Sequence, residues 1–179
     1  MESQKIIYSQ TTLDFVAVAV KYCAFLEQAE RQTRRAFVET LLKLLPLLYL
    51  KAHLLPEVES EGELLPAPQV TEADYEWVRH AAYAHLKGDD QYLDISYEED
   101  LQTDETQWRS VAEHLADVYQ PVRDFLAVYQ SELEAPMLEA LWMVQQNFEA
   151  YWGQALVDAL RRLHYIQYTI GNGEEEDDD

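Results

Sequence analysis

Residues 111–130, VAEHLADVYQPVRDFLAVYQ, place the tightest constraint on how this chain folds. At 100° per residue, Val111, Leu115, Val118, Val122, Phe125 and Tyr129 fall within a band of about 80°. Glu113, Asp117, Gln120 and Asp124 fall in a second narrow band on the opposite side. Side chains of a strand alternate with period two and cannot produce that separation. The segment therefore reads as a helix with one apolar stripe, and such a stripe requires neighbouring elements to bury it.

The same period recurs along the chain. A first helix is predicted from about residue 11 to 29. Leu13, Val16, Val20, Cys23 and Ala24 recur at helical spacing, and Phe15, Val18, Phe25 and Leu26 widen the apolar face. A second spans about 33 to 54, with Phe37, Leu41, Leu44, Leu45 and Leu48 inward and Pro46 expected to kink or split it. Residues 55–70, LPEVESEGELLPAPQV, contain three prolines and a glycine and read as a surface crossover. Thr71-Glu-Ala-Asp74 then offers a variant capping box for a third helix, which Gly88 is expected to end. Residues 89–106 are acidic, aromatic and irregular, with short helical turns expected and no convincing strand.

The fourth helix is placed at about 105–131. The fifth begins near Pro136 and extends to about 168, with Gly153 a candidate bend. With 5 Gly and 6 Pro in 179 residues, few breaks interrupt these segments. The expected fold class is all-α, an antiparallel helical bundle of about five principal helices. One domain is expected over residues 1–173, followed by a disordered acidic tail, EEEDDD, at 174–179.

The formal net charge is −21, unevenly spread. Residues 55–107 carry 15 Asp/Glu against Arg79 and Lys87, a net of −13, and the tail adds −6. The remainder is nearly balanced. Such a chain lacks the basic surface that nucleic acid or anionic lipid requires, so no direct nucleic-acid or membrane binding is expected. The most apolar run, LLKLLPLLYLKAHLL at 41–55, is interrupted by Lys43, Pro46 and Lys51 and is too short for a membrane span. No signal peptide is evident at MESQKIIYSQ, so a soluble cytoplasmic protein is expected. Cys23, the single cysteine, lies in an apolar run and reads as a small core residue.

The segments SVAEHLADVYQPVRDF, TEADYEWVR, LLPLLYLKA and FVAVAVKYCAFLE together resemble an uncharacterised bacterial family, domain of unknown function 5063. The resemblance covers roughly residues 10–168. It implies an all-helical fold and transfers no activity.

Two candidate sites emerge from the residues. The first is the acidic, tyrosine-bearing middle segment. Tyr92, Asp94, Tyr97, Glu98, Glu99 and Asp100 form a candidate docking surface for a basic protein partner, although tyrosines that anchor a packed loop explain the pattern equally well. The second is the Glu113, Asp117, Asp124 face of the fourth helix, where Ala116 and Ala127 would admit a neighbouring helix or ligand. Its ordinary reading is a solvated face. Its chemical reading is a metal-dependent hydrolase, which needs ligands from a second helix. No Glu-x-x-His pair, Gly-rich phosphate loop, Cys-x-x-Cys or Gly-x-Ser-x-Gly is present, and Asp89, Asp90 and Asp94 lack the ligand spacing of a calcium loop. His80 reads as an exposed helix partner of Glu76 and His85 as a core-edge residue. The expected function is a protein-interaction or regulatory module with an acidic surface, with no cofactor and no assigned catalytic or metal-binding residue. The alternative is the hydrolase built on the fourth-helix carboxylates.

Overall fold

The computed structural model describes residues 2–60, 62, 65–97 and 104–171. The acidic tail lies outside these residues. Helix α1 (Glu2–Ile7) precedes α2 (Gln10–Glu27), which starts where the Ser9 hydroxyl accepts the Thr12 N–H. Thr33 caps α3 (Arg34–His53) in the same way, accepting the Ala36 N–H. The capping box predicted at Thr71 is formed in full. Asp74 N–H reaches the Thr71 hydroxyl at 3.1 Å and the Asp74 carboxylate accepts Thr71 N–H at 3.0 Å, opening α4 (Glu72–Leu86). The residue that leaves the helix with positive φ is Lys87 (49°), one position before the expected Gly88.

Residues 89–110 depart from expectation. They hold an antiparallel hairpin, β1 (Gln91–Tyr97) and β2 (Asp104–Ser110), in place of helical turns and the start of a helix. The register pairs Tyr92 with Arg109, Leu93 with Trp108 and Asp94 with Gln107. Asp90 fixes the hairpin's base. Buried to 1% exposure, its carboxylate accepts the Ser110 hydroxyl at 2.7 Å and the Ala112 N–H at 2.7 Å, and its carbonyl accepts Val111 N–H. Ser110 in turn caps α5 (Val111–Tyr129) by accepting Glu113 N–H. The helix therefore begins at 111, because the residues before it are committed to the ladder.

Helix α5 is the centre of the bundle and packs on α2, α4, α6 (Glu134–Asn147) and α7 (Gly153–Tyr165). Its buried face reaches beyond the predicted stripe to Ala112, His114, Ala116, Tyr119 and Pro121. The Tyr22 hydroxyl donates to the Leu115 carbonyl at 2.8 Å, tying α2 to α5 within the core. Phe15, Phe37, Leu41, Leu45, Leu48 and Trp152 are fully buried around this axis. Pro46 lies inside a continuous α3. Burial of Leu45 and Leu48 beside it offsets the roughly 3 kcal/mol that an interior proline costs.

The predicted fifth helix follows one path from Glu134 but is underwound twice. A π-helical turn occupies Phe148–Trp152 and another Ile166–Ile170. Gly153 is required by the first. A Cβ there would lie 2.6 Å from the Phe148 carbonyl oxygen, closer than any side chain tolerates. The turn directs Trp152 into the core, where its indole N–H donates to the Val144 carbonyl at 2.9 Å. Among the described residues, no helix is long and apolar enough to cross a membrane.

Candidate functional site: the hairpin and the acidic face of the central helix

The three acids predicted on α5 have separate surroundings. Glu113 is exposed. Asp117 accepts the Tyr75 hydroxyl from α4 at 2.8 Å, and burial together with that bond pushes the phenol's pKa well up. Asp124 Oδ1 accepts the backbone N–H groups of Gln69 at 2.6 Å and Val70 at 2.7 Å, pinning the proline-rich crossover to the bundle. The structure thus engages two of the three acids with other segments. Among the described residues no group of three or more His, Cys, Asp or Glu side chains is arranged to hold a metal ion. Ala116 is fully buried, so the close approach it permits is used by the bundle itself.

The histidines are held by packing and hydrogen bonds. His85 Nε2 lies 2.8 Å from the Ala29 carbonyl, with its ring stacked on Phe37 at 4.4 Å. His114 is 7% exposed, and its Nε2 meets the Tyr92 hydroxyl at 3.0 Å. Burial pushes the imidazole's pKa down, against the opposing fields of Asp158 and Asp117.

The middle segment is more ordered than its composition suggests. Tyr92 is buried to 8%, with the Arg161 and Arg162 guanidiniums over its ring at 5.7 and 5.6 Å. Asp94 pairs with Arg161 at 2.7 Å, and Asp89 with Arg34 at 2.5 Å. Arg162 donates to the Asp89 carbonyl and stacks on Tyr165 at 5.0 Å. Of the six residues proposed for docking, Tyr92 and Asp94 therefore face the bundle. Tyr97 ends β1, and Glu98, Glu99 and Asp100 lie outside the described residues.

The other face of the hairpin is open. Leu93 and Trp108 sit directly opposite each other across the ladder, 54% and 68% exposed. With Tyr165 and the two arginines they border a cleft of about 390 Å³ between hairpin and α7. Reading 105–131 as one helix hid this pair. The signal that would have found it is the alternation of Leu93 with Tyr92 and Asp94, mirrored by Trp108 between Gln107 and Arg109.

Fold and site together define a class: a mainly helical bundle whose central helix is preceded by a two-stranded hairpin packed on the last helix. The chain belongs to the family described as Domain of unknown function (DUF5063), whose sequence model matches residues 6–169. It is also similar to the crystal structure of protein BF1032 from Bacteroides fragilis. The two share 40% sequence identity at a TM-score of 0.81, covering 92% of this chain and 96% of that one. No curated protein matches the chain.

Proposed function

We propose that the protein is a non-enzymatic interaction module that docks a basic protein partner through the outer face of its hairpin. The observation that carries this reading is the cross-strand Leu93–Trp108 pair. An exposed tryptophan facing an exposed leucine on a fixed ladder makes the kind of rigid anchor that dominates protein interfaces. A basic partner follows from charge. The segment around the hairpin carries a net of −13, and Trp108 offers a ring face to an arginine or lysine. Glu98, Glu99 and Asp100 follow β1 in sequence and would add attraction at longer range. Asp94 is better left out of that set, because Arg161 already neutralises it. The metal-dependent hydrolase reading draws no support from this geometry, since Asp117 and Asp124 are held by Tyr75 and by the crossover backbone.

Affinity capture from the native host extract tests the proposal, using wild type, Trp108→Ala and a variant with Glu98, Glu99 and Asp100 changed to Lys. A basic protein retained by wild type is expected to weaken roughly 30-fold or more with Trp108→Ala, as for truncation of a central interface tryptophan worth about 2 kcal/mol. Retention is also expected to fall with salt and with the charge reversal. Recovery of the same proteins by all three forms at every salt concentration would refute the reading.

A further inference from the structure

A second concavity lies on the acidic side of α5, away from the hairpin. It encloses about 210 Å³ beneath the crossover, with Pro66 and Pro68 above and Pro121, Phe125 and Met143 forming an apolar wall. An apolar cavity of about 150 Å³ accommodates benzene, so this one has room for an aromatic ring and a short substituent. Its polar groups are few and convergent: Gln120, Asp124, Asn147 and Tyr151. Among the described residues, the side chains of Gln120, Asn147 and Tyr151 make no hydrogen bond to the protein. Asp124 uses only Oδ1 on the crossover, leaving Oδ2 without a protein donor there.

Tyr151 reaches this place because the π-helical turn at Phe148–Trp152 sends Trp152 into the core and its neighbour to the surface. Its hydroxyl's pKa is raised by burial and further by the fields of Asp117 and Asp124, so negative potential from both carboxylates extends to the ring. π-helical turns inside α-helices are frequent at functional sites. An apolar wall with a few oriented polar groups is the usual construction of a small-molecule pocket.

We propose that this pocket binds a small cationic ligand, an aromatic ring or comparable apolar body carrying an ammonium group. The apolar part lies against Pro121, Phe125 and Met143. The ammonium faces Asp124 Oδ2, with the Gln120 and Asn147 amides and the Tyr151 hydroxyl as further acceptors. An anionic ligand of the same shape is disfavoured by the same carboxylate. This site does not depend on hairpin docking, and its test uses no protein partner.

Benzylamine, benzyl alcohol and benzoate serve as probes of one shape and three charges, titrated into the full chain at low salt and followed by amide NMR. Benzylamine is expected to produce saturable shifts in the Gln120 and Asn147 side-chain amides. Benzoate is expected to bind more weakly by a factor on the order of tenfold or greater, with benzyl alcohol between. Met143→Trp fills the cavity and is expected to abolish the shifts. Tyr151→Phe, which keeps the ring, is expected to fold normally and bind benzylamine several-fold more weakly. Absence of saturable shifts, equal affinity for amine and carboxylate, or undiminished binding by both variants would overturn the proposal.

Discussion

Tyr92 and His114 are joined beneath the hairpin by a 3.0 Å hydrogen bond between phenol and imidazole, one partner from β1 and the other from α5. Both are nearly buried, so the bond fastens the hairpin to the central helix in surroundings that disfavour charge. The folded pKa of His114 is lowered from its ordinary 6.5, chiefly by burial. Between those two values the unfolded chain binds more protons than the folded one. His114 therefore contributes fully to stability above pH 6.5, and that contribution is lost as pH falls toward the folded value. Asp14, Glu39, Asp74 and Glu76 are held below the ordinary carboxylate range by Lys51, Arg35, Thr71 and Arg79, so their losses come at lower pH. Urea midpoints across this range should show a decline just below pH 6.5 in wild type that His114→Gln lacks. Parallel curves would place the acid sensitivity elsewhere.

Gly153 supplies a sharper structural prediction. Alanine there sets a Cβ 2.6 Å from the Phe148 carbonyl and within 3 Å of that residue's ring. Backbone cannot yield as a flexible side chain does, so Gly153→Ala should cost about 1–3 kcal/mol. Gly88 is the control, since nothing lies within 4 Å of a Cβ built on it. Gly88→Ala should change stability by no more than about 0.5 kcal/mol in denaturant unfolding. Similar effects at both positions would mean that the π-helical turn does not require its glycine.

The contrast with the sequence reading has a physical basis. The α5 stripe and the Thr71–Asp74 capping box were legible because each is local, one a period and the other a four-residue motif. Gly153 was legible as a special position but not as a π-helical turn, since its constraint comes from Phe148 one turn away and appears only after the helix is built. The hairpin was hidden because residues 89–106 read as an irregular acidic segment and the fourth helix as starting at about 105, across the second strand. In the structure Asp90 is a buried cap and Asp94 is an ion-pair partner of α7, sixty-seven residues distant. Asp124 belongs to the same class. Its spacing placed it on the polar face, yet its ligands are backbone amides of a crossover that no helical period locates.

Asp124 and Asp117 should respond differently to substitution. Asp124→Ala removes the acceptor of two backbone N–H groups and should cost about 1–3 kcal/mol, with faster proteolysis in the 55–70 crossover. Asp117→Asn keeps an oxygen for the Tyr75 hydroxyl and should change stability by about 0.5 kcal/mol or less. Thermal scans of wild type and Asp117→Asn with magnesium, manganese or zinc test the remaining chemistry. Neither protein is expected to gain an ion-dependent rise in Tm. A rise confined to wild type would restore the metal-site reading of this face.

The hairpin that carries the proposed docking face is anchored through Asp90, and this anchorage can be loosened without touching the outer residues. The Asp90 carboxylate serves two donors at once, the Ser110 hydroxyl on the last residue of β2 and the Ala112 N–H in the first turn of α5. Asp90→Ala leaves a buried N–H and a buried hydroxyl without their acceptor. Loss of a helix-start acceptor alone costs about 1 kcal/mol, and the orphaned hydroxyl adds a similar amount. Asp90→Asn keeps one oxygen for Ala112 and should fall between alanine and wild type. Hydrogen exchange is the discriminating measurement. Ala112, Glu113 and the β1–β2 ladder amides should exchange much faster in Asp90→Ala, while the core amides of α2 and α3 should speed up only in proportion to the loss of global stability. If Trp108 docks the partner as proposed, this variant should also bind it more weakly, because a mobile hairpin must be ordered again on binding. Uniform acceleration across all helices would show instead that Asp90 supports the whole bundle and not the hairpin's attachment.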